Sequence, residues 1–173
     1  MWSNAILILL LLVCVITDLK SRKIYNAVLF PVLCTAWILH VVLGGLDGLA
    51  ETFLGTIVGL AILIIPYFMG GMGAGDVKLL AVIGALKGTS FVLMTALYMG
   101  LVGGMIAVVI FLFRKGVRAR IKHTIFFLSC LKHGVKTPFS LDKEALSTTY
   151  PYGVAIAAGA ICEIWVNTGG FTL

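Results

Sequence analysis

Two of the seven acidic residues in this 173-residue chain, Asp18 and Asp76, stand where a carboxylate has chemistry open to it. Asp18 follows an apolar run, and Asp76 ends Gly70-Gly71-Met72-Gly73-Ala74-Gly75-Asp76, which has four glycines in seven positions. Two carboxylates within a few ångströms resist double ionisation and share a proton, so their titration belongs to the pair. The ionised member takes a proton from water as it attacks a peptide carbonyl. The protonated member steadies the oxyanion and later helps protonate the leaving amine. This chemistry needs no metal, no cofactor and no covalent intermediate. Taken singly, each residue has an ordinary reading: Asp18 as a boundary charge beside Lys20 and Arg22, Asp76 as a helix cap. The glycines shift the balance, because they let another chain approach the backbone closely, and irregular backbone at membrane depth must line a cavity or be buried in protein.

Other chemistries have less support. His40, His123 and His133 show no H-E-x-x-H spacing, and no G-x-S-x-G is present. Cys14, Cys34, Cys130 and Cys162 are widely spaced, none in a C-x-x-C pair, and read as small apolar residues rather than zinc ligands or a disulfide framework. Asp142 and Glu144 read as solvated loop residues, and Asp47 in Gly44-Gly45-Leu46-Asp47-Gly48 as turn chemistry. Glu51 and Glu163 fall near the outer ends of apolar runs, where they are expected to reach water. Two G-x-x-x-G patterns, Gly55 to Gly59 and Gly100 to Gly104, read as close helix packing.

The elements that must position the two aspartates follow from composition. The chain is 61% hydrophobic and 12% charged, with a mean hydropathy of +1.12. A soluble domain is roughly half apolar and about a quarter charged. The expectation is an all-α polytopic membrane protein, one membrane-embedded domain over 1–173, with about six transmembrane helices at about 3–17, 27–43, 49–69, 77–86, 91–113 and 152–166. The fourth run is short: ten residues rise about 15 Å against a hydrocarbon core of about 30 Å, so it is either sheltered by its neighbours or extended at its ends. Pro66 is expected to disturb the end of the third run. A basic loop, 114–150, contains a small apolar segment, 125–131, suited to the membrane surface.

Orientation follows from the basic residues. With the amino terminus outside, twelve of the thirteen Lys and Arg residues face the cytoplasm and only Lys87 lies outside. Trp2 and Trp165 then sit near the outer interface, and Tyr25, Tyr67 and Tyr152 near the inner one. The net charge of +6 reads as retained cytoplasmic charge, not as a nucleic-acid surface. A cleavable signal peptide is not expected, since the first run lacks a preceding positive charge and is followed by Lys20, Arg22 and Lys23. Asp18 and Asp76 both fall at the cytoplasmic face.

At this point Gly73-Ala74-Gly75-Asp76-Val77-Lys78 resembles the GxGD motif, with its usual lysine, of the type IV prepilin peptidases, aspartic proteases of the membrane. The segment Thr17-Asp18-Leu19-Lys20-Ser21-Arg22-Lys23-Ile24-Tyr25-Asn26 resembles that of the family's first aspartate, with Tyr25 where the family often has proline. Pro151-Tyr152-Gly153 is similar to a Pro-aromatic-Gly element near the end of these enzymes. The resemblance covers nearly the whole chain in length and span order. GxGD is shared with archaeal preflagellin peptidases and presenilin-like proteases and does not choose a substrate.

The resemblance implies catalysis by Asp18 and Asp76, with Gly73, Ala74, Gly75 and Lys78 in the active-site loop; Lys78 has two readings, orienting a backbone or a lipid headgroup, or simply snorkelling. It implies no metal and no cofactor. The reaction would remove a short basic leader from a prepilin-like precursor, just before a hydrophobic segment, at the cytoplasmic face of the inner (cytoplasmic) membrane. Longer, bifunctional members carry a region with paired Cys-x-x-Cys motifs and N-methylate the new amino terminus; without it, methylation is not expected here. The chain looks most like the short peptidases of tight-adherence (Flp-type) pilus systems. Expected partners are the precursor and the bilayer, with no nucleic acid, and the oligomeric state is left open. Anionic headgroups would have to screen the basic face from a basic leader. The competing readings are an archaeal preflagellin peptidase, a proton or cation transporter that uses the two aspartates, and a structural assembly subunit.

Overall fold

A computed structural model describes residues 2–113 and 152–170. The expected basic loop 114–150, its segment 125–131, and His123, His133, Cys130, Asp142 and Glu144 lie outside the described residues. The chain divides into two units, 1–103 with 149–173, and 104–148. The packing and the site described below are those of the first, and the end of α4 belongs to the second.

Among the described residues the chain is helical, with no strand. The helices are α1 (Trp2–Ser21), α2 (Asn26–Phe68), α3 (Ala74–Lys87), α4 (Thr89–Phe113) and α5 (Tyr152–Trp165), which runs on into a π-helical turn, Val166–Gly170. In α1, Leu7, Leu10, Leu11, Cys14 and Asp18 form the buried stripe, spaced as one face of a helix. Its other face is also apolar, and Leu9, Leu12 and Ile16 stand exposed. A helix that is hydrophobic all round suits hydrocarbon rather than water. The helices α1, α2 and α4 contain stretches long and apolar enough to cross a membrane, and α5 is a shorter apolar helix.

The 43-residue α2 is not one rod. Gly45 has φ 59° and ψ −141°, outside helical geometry and in the left-handed half of the map that glycine tolerates. Past it the helix folds back, so the Trp37 and Phe53 rings meet edge to face at 6.1 Å; in a straight helix, sixteen residues would hold them about 24 Å apart. The expected turn at 44–48 is therefore a reversal in which Gly45 alone leaves the helical region. Pro66 is accommodated inside α2, which continues to Phe68. Its position in the last turn limits the loss to one ladder bond, and its carbonyl accepts from the Gly71 N–H at 3.0 Å.

The short fourth run becomes α3, 14 residues or about 21 Å long. Extension at both ends and shelter by neighbours both contribute, for all but four of its residues are buried. Glycines make that shelter possible. A Cβ on Gly59 would lie 2.8 Å from the Ala81 Cα, and Gly55 meets Gly84 backbone to backbone, so the second limb of α2 packs directly on α3. The pattern Gly100 to Gly104 does not repeat this among the described residues, where a Cβ at either position would meet nothing within 4 Å. Helix α4 instead approaches α5 through Gly159, where a Cβ would stand 2.7 Å from the Met99 nitrogen and the Thr95 carbonyl oxygen.

Candidate active site

The carboxyl end of α1 and the amino ends of α2, α3 and α5 come together. Asp18 lies in the last turn of α1, Asp76 in the first turn of α3 and Gly153 in the first turn of α5. Asp18 and Asp76 are both buried, at 7% and 8% exposure, and both line one cavity of about 340 Å³. Residues 22–26 and 73–75 form the rest of its wall.

Local chemistry explains why these acids are held there. The first N–H groups of a helix lack intrahelical acceptors. Gly73 is the N-cap of α3, and its N–H donates to Asp76 Oδ2 at 3.1 Å, the carboxylate half of a capping box. Glycine has no side chain for the reciprocal half, and the Asp76 N–H goes to the Gly73 carbonyl at 3.1 Å instead. Asp18 does the same service across the fold: the Gly153 N–H donates to Asp18 Oδ2 at 3.0 Å, so the end of α1 caps the start of α5. Each acid thus has one oxygen fixed by a backbone donor at the positive end of a helix.

The glycines of the site are there for space. A Cβ on Gly75 would lie 2.9 Å from the Ile24 Cβ, so the α1–α2 connection fits against the 73–75 loop only because residue 75 has no side chain. One on Gly153 would lie 2.7 Å from Asp18 Oδ2, and one on Gly73 3.2 Å from Asp76 Oδ2. The turn that shapes the connection begins at Arg22, whose φ of 51° is the one positive value outside glycine among the described residues. Its N–H bonds the Asp18 carbonyl at 2.8 Å, which closes the last turn of α1 and aims residues 22–25 over the cavity.

Of the residues singled out by sequence, Asp18, Asp76, Gly73, Ala74 and Gly75 share this cavity. Lys78 is placed apart. It is exposed, one turn along α3, and its Nζ donates to Asn26 Oδ1 at 3.1 Å rather than to a carboxylate. Side-chain types do not point to the Gly153 N–H, and the tripeptide 151–153 is its one trace in the sequence.

A second polar group gathers at the opposite end of α3. Glu163, expected to reach water, is buried at 6% exposure and accepts from Asn167 Nδ2 at 2.6 Å. Lys87 donates to Asn4 Oδ1, and its amine stands 5.0 Å from the Phe91 ring centre. Among the described residues no set of three or more His, Cys, Asp or Glu is arranged to hold a metal ion.

A comparison with protein families adds one finding: the model of the type IV leader peptidase family matches residues 5–108. That interval contains Asp18, Asp76 and the loop between α2 and α3, and ends before Gly153. No curated protein and no solved structure matches the chain.

Proposed function

The chain belongs to the type IV leader peptidase family, and from that premise we propose that Asp18 and Asp76 are its catalytic acids, in a membrane aspartic endopeptidase that removes the leader of a prepilin-like precursor. The observation that carries the reading is the shared cavity, in which two buried carboxylates each have Oδ2 tied to a backbone N–H. That anchoring leaves Oδ1 of each to deal with water and substrate.

In the reaction, one aspartate is ionised and the other protonated. The ionised carboxylate takes a proton from a water whose oxygen attacks the scissile carbonyl carbon. The protonated carboxyl gives its proton to the carbonyl oxygen, and a neutral tetrahedral diol forms. Its collapse returns one hydroxyl proton to the second carboxylate, restores the carbonyl and breaks the C–N bond, while the amine takes the proton the first carboxylate had accepted. One water is consumed, and the two carboxyls together hold one proton again. Gly73 and Gly75 shape the loop. Arg22 and Lys23 on the cavity wall put positive charge beside the acids. Lys78 acts one step removed, holding Asn26 at the rim.

The proposal keeps six crossings in one membrane-embedded domain, counted by taking the two limbs of α2 separately and including α3 and α5. It keeps the amino terminus outside and the site at the cytoplasmic face of the inner membrane. The leader is short and basic, and the precursor is of the Flp type. Co-expression with a tagged Flp-type prepilin tests this: wild type shortens the precursor on a gel, whereas membrane-inserted Asp18→Asn and Asp76→Asn leave it intact. Full activity in either variant would end the two-acid assignment. Wild type that cuts neither this precursor nor an archaeal preflagellin would move the two aspartates to ion transport.

A further inference from the structure

Beside the site cavity lies a second recess, of about 510 Å³, on the side of α3 that faces the first limb of α2. Its near wall is Asn26, Leu29, Phe30 and Leu33, at i, i+3, i+4 and i+7, one face of two helical turns. Buried Ala81 and Val82 of α3 make the floor, and Leu60 of the second limb borders it. Apart from Asn26, Thr56 and Lys78, every residue in the lining is apolar.

The position of this recess says what it is for. Asn26 stands on the wall of both hollows, so the apolar groove adjoins the cavity that holds the aspartates. From there it follows the first limb of α2 away from the acids, polar at the rim, where Lys78 meets Asn26, and apolar from Leu29 to Leu33. A substrate with its scissile peptide at the acids and an apolar helix directly after it has the same order of polarity. Helix-in-groove recognition uses such a face, with anchors at i, i+3, i+4 and i+7.

We infer that the groove bounded by Asn26, Leu29, Phe30, Leu33, Leu60 and Ala81 is the docking site for the first two turns of the apolar segment that follows the cleaved bond. This rests on the leader-peptidase reading above and extends it to how the substrate is held. Binding energy from these turns, remote from the reacting carbonyl, sets the register of the peptide over the acids. It also gives the enzyme a way to recognise precursors without attracting the basic leader to its basic face.

The test uses the full chain in membranes with the tagged precursor. A photoreactive benzoylphenylalanine replaces Phe30, which is 67% exposed, in an Asp76→Asn background that retains the precursor. The control places the same probe at Leu12 of α1, 57% exposed and away from the groove. The expected result is a precursor adduct from position 30 and none from position 12. In the active enzyme, Leu60→Trp narrows the groove and lowers kcat/KM for the precursor about tenfold or more, mostly through KM. Adducts from position 30 with lipid or with the enzyme's own chain alone would overturn the inference. Equal precursor labelling from both positions would do the same, as would Leu60→Trp with wild-type KM. In those cases wild-type cleavage leaves the leader-peptidase reading standing; if wild type cuts no precursor, that reading fails and the groove assignment falls with it.

Discussion

Gly153→Ala isolates the role of a single backbone donor. A Cβ at this position stands 2.7 Å from Asp18 Oδ2, 3.1 Å from its Cγ and 3.2 Å from its Cβ. An ordinary contact begins near 3.4 Å, so the carboxylate must retreat by about 0.7 Å, with Asp18 already buried and room scarce. Retreat weakens the 3.0 Å bond from the Gly153 N–H, and a hydrogen bond to a charged group is worth about 1.5–3 kcal/mol. That is below a typical folding stability of about 5–15 kcal/mol, so the variant remains folded. Catalysis is less forgiving, since misplacing a reacting group by about 1 Å costs on the order of 10²-fold. The expected outcome is a fall in kcat approaching 10²-fold in purified, reconstituted enzyme, with a normal elution profile and a thermal midpoint lowered by a few degrees. Gly103→Ala is the companion, because its Cβ would meet the Ala155 Cβ at an ordinary 3.7 Å; it keeps wild-type kcat. A folded Gly153→Ala enzyme that cleaves at the wild-type rate would refute the reasoning.

Other substitutions test the rest of the frame. Gly59→Ala drives a methyl group into the α3 backbone, which cannot give way as a side-chain tip can, and should cost about 1–3 kcal/mol in thermal or denaturant unfolding. Gly100→Ala meets open space and should be neutral or stabilising by up to about 1 kcal/mol, because alanine is the better helix former; equal losses at both sites would show that the close approach of α2 to α3 is misjudged. Gly75→Ala pushes on the Ile24 Cβ and should reduce precursor cleavage sharply, with partial recovery in Gly75→Ala/Ile24→Gly, which removes the opposing atom. Asp18→Asn and Asp76→Asn should each lower cleavage by about 10²–10⁴-fold while the protein still fractionates with the membrane.

Asp18 and Asp76 line a single cavity, and the sequence hints at their meeting by setting both near basic residues at the ends of apolar runs. The reversal at Gly45 was legible as a glycine-rich break. The sequence overstated its extent, because one positive-φ residue suffices when its neighbours form helix readily. The two G-x-x-x-G patterns look alike on paper, yet Gly55–Gly59 faces α3, while among the described residues nothing stands opposite Gly100 or Gly104. Spacing defines a smooth stripe but not what lies opposite. A place near the end of an apolar run predicts that Glu163 reaches water; Asn167 one turn on pairs with its carboxylate, and burial follows from packing that a one-dimensional pattern does not record. Gly153 contributes through its backbone N–H, a group every residue but proline carries, and no residue type announces that one of them will be aimed at a carboxylate.

The length of α3 makes it dependent on the helices around it. Its 14 residues rise about 21 Å, roughly 9 Å less than a hydrocarbon core, and they carry Asp76 in the first turn and Lys87 at the last position. All but four of them are buried against protein, so neighbouring helices rather than lipid make up the shortfall. A helix too short to cross alone takes its place in a bilayer from its neighbours, and the glycines that let α2 press against it, Gly55 and Gly59, hold it at depth as well as in register.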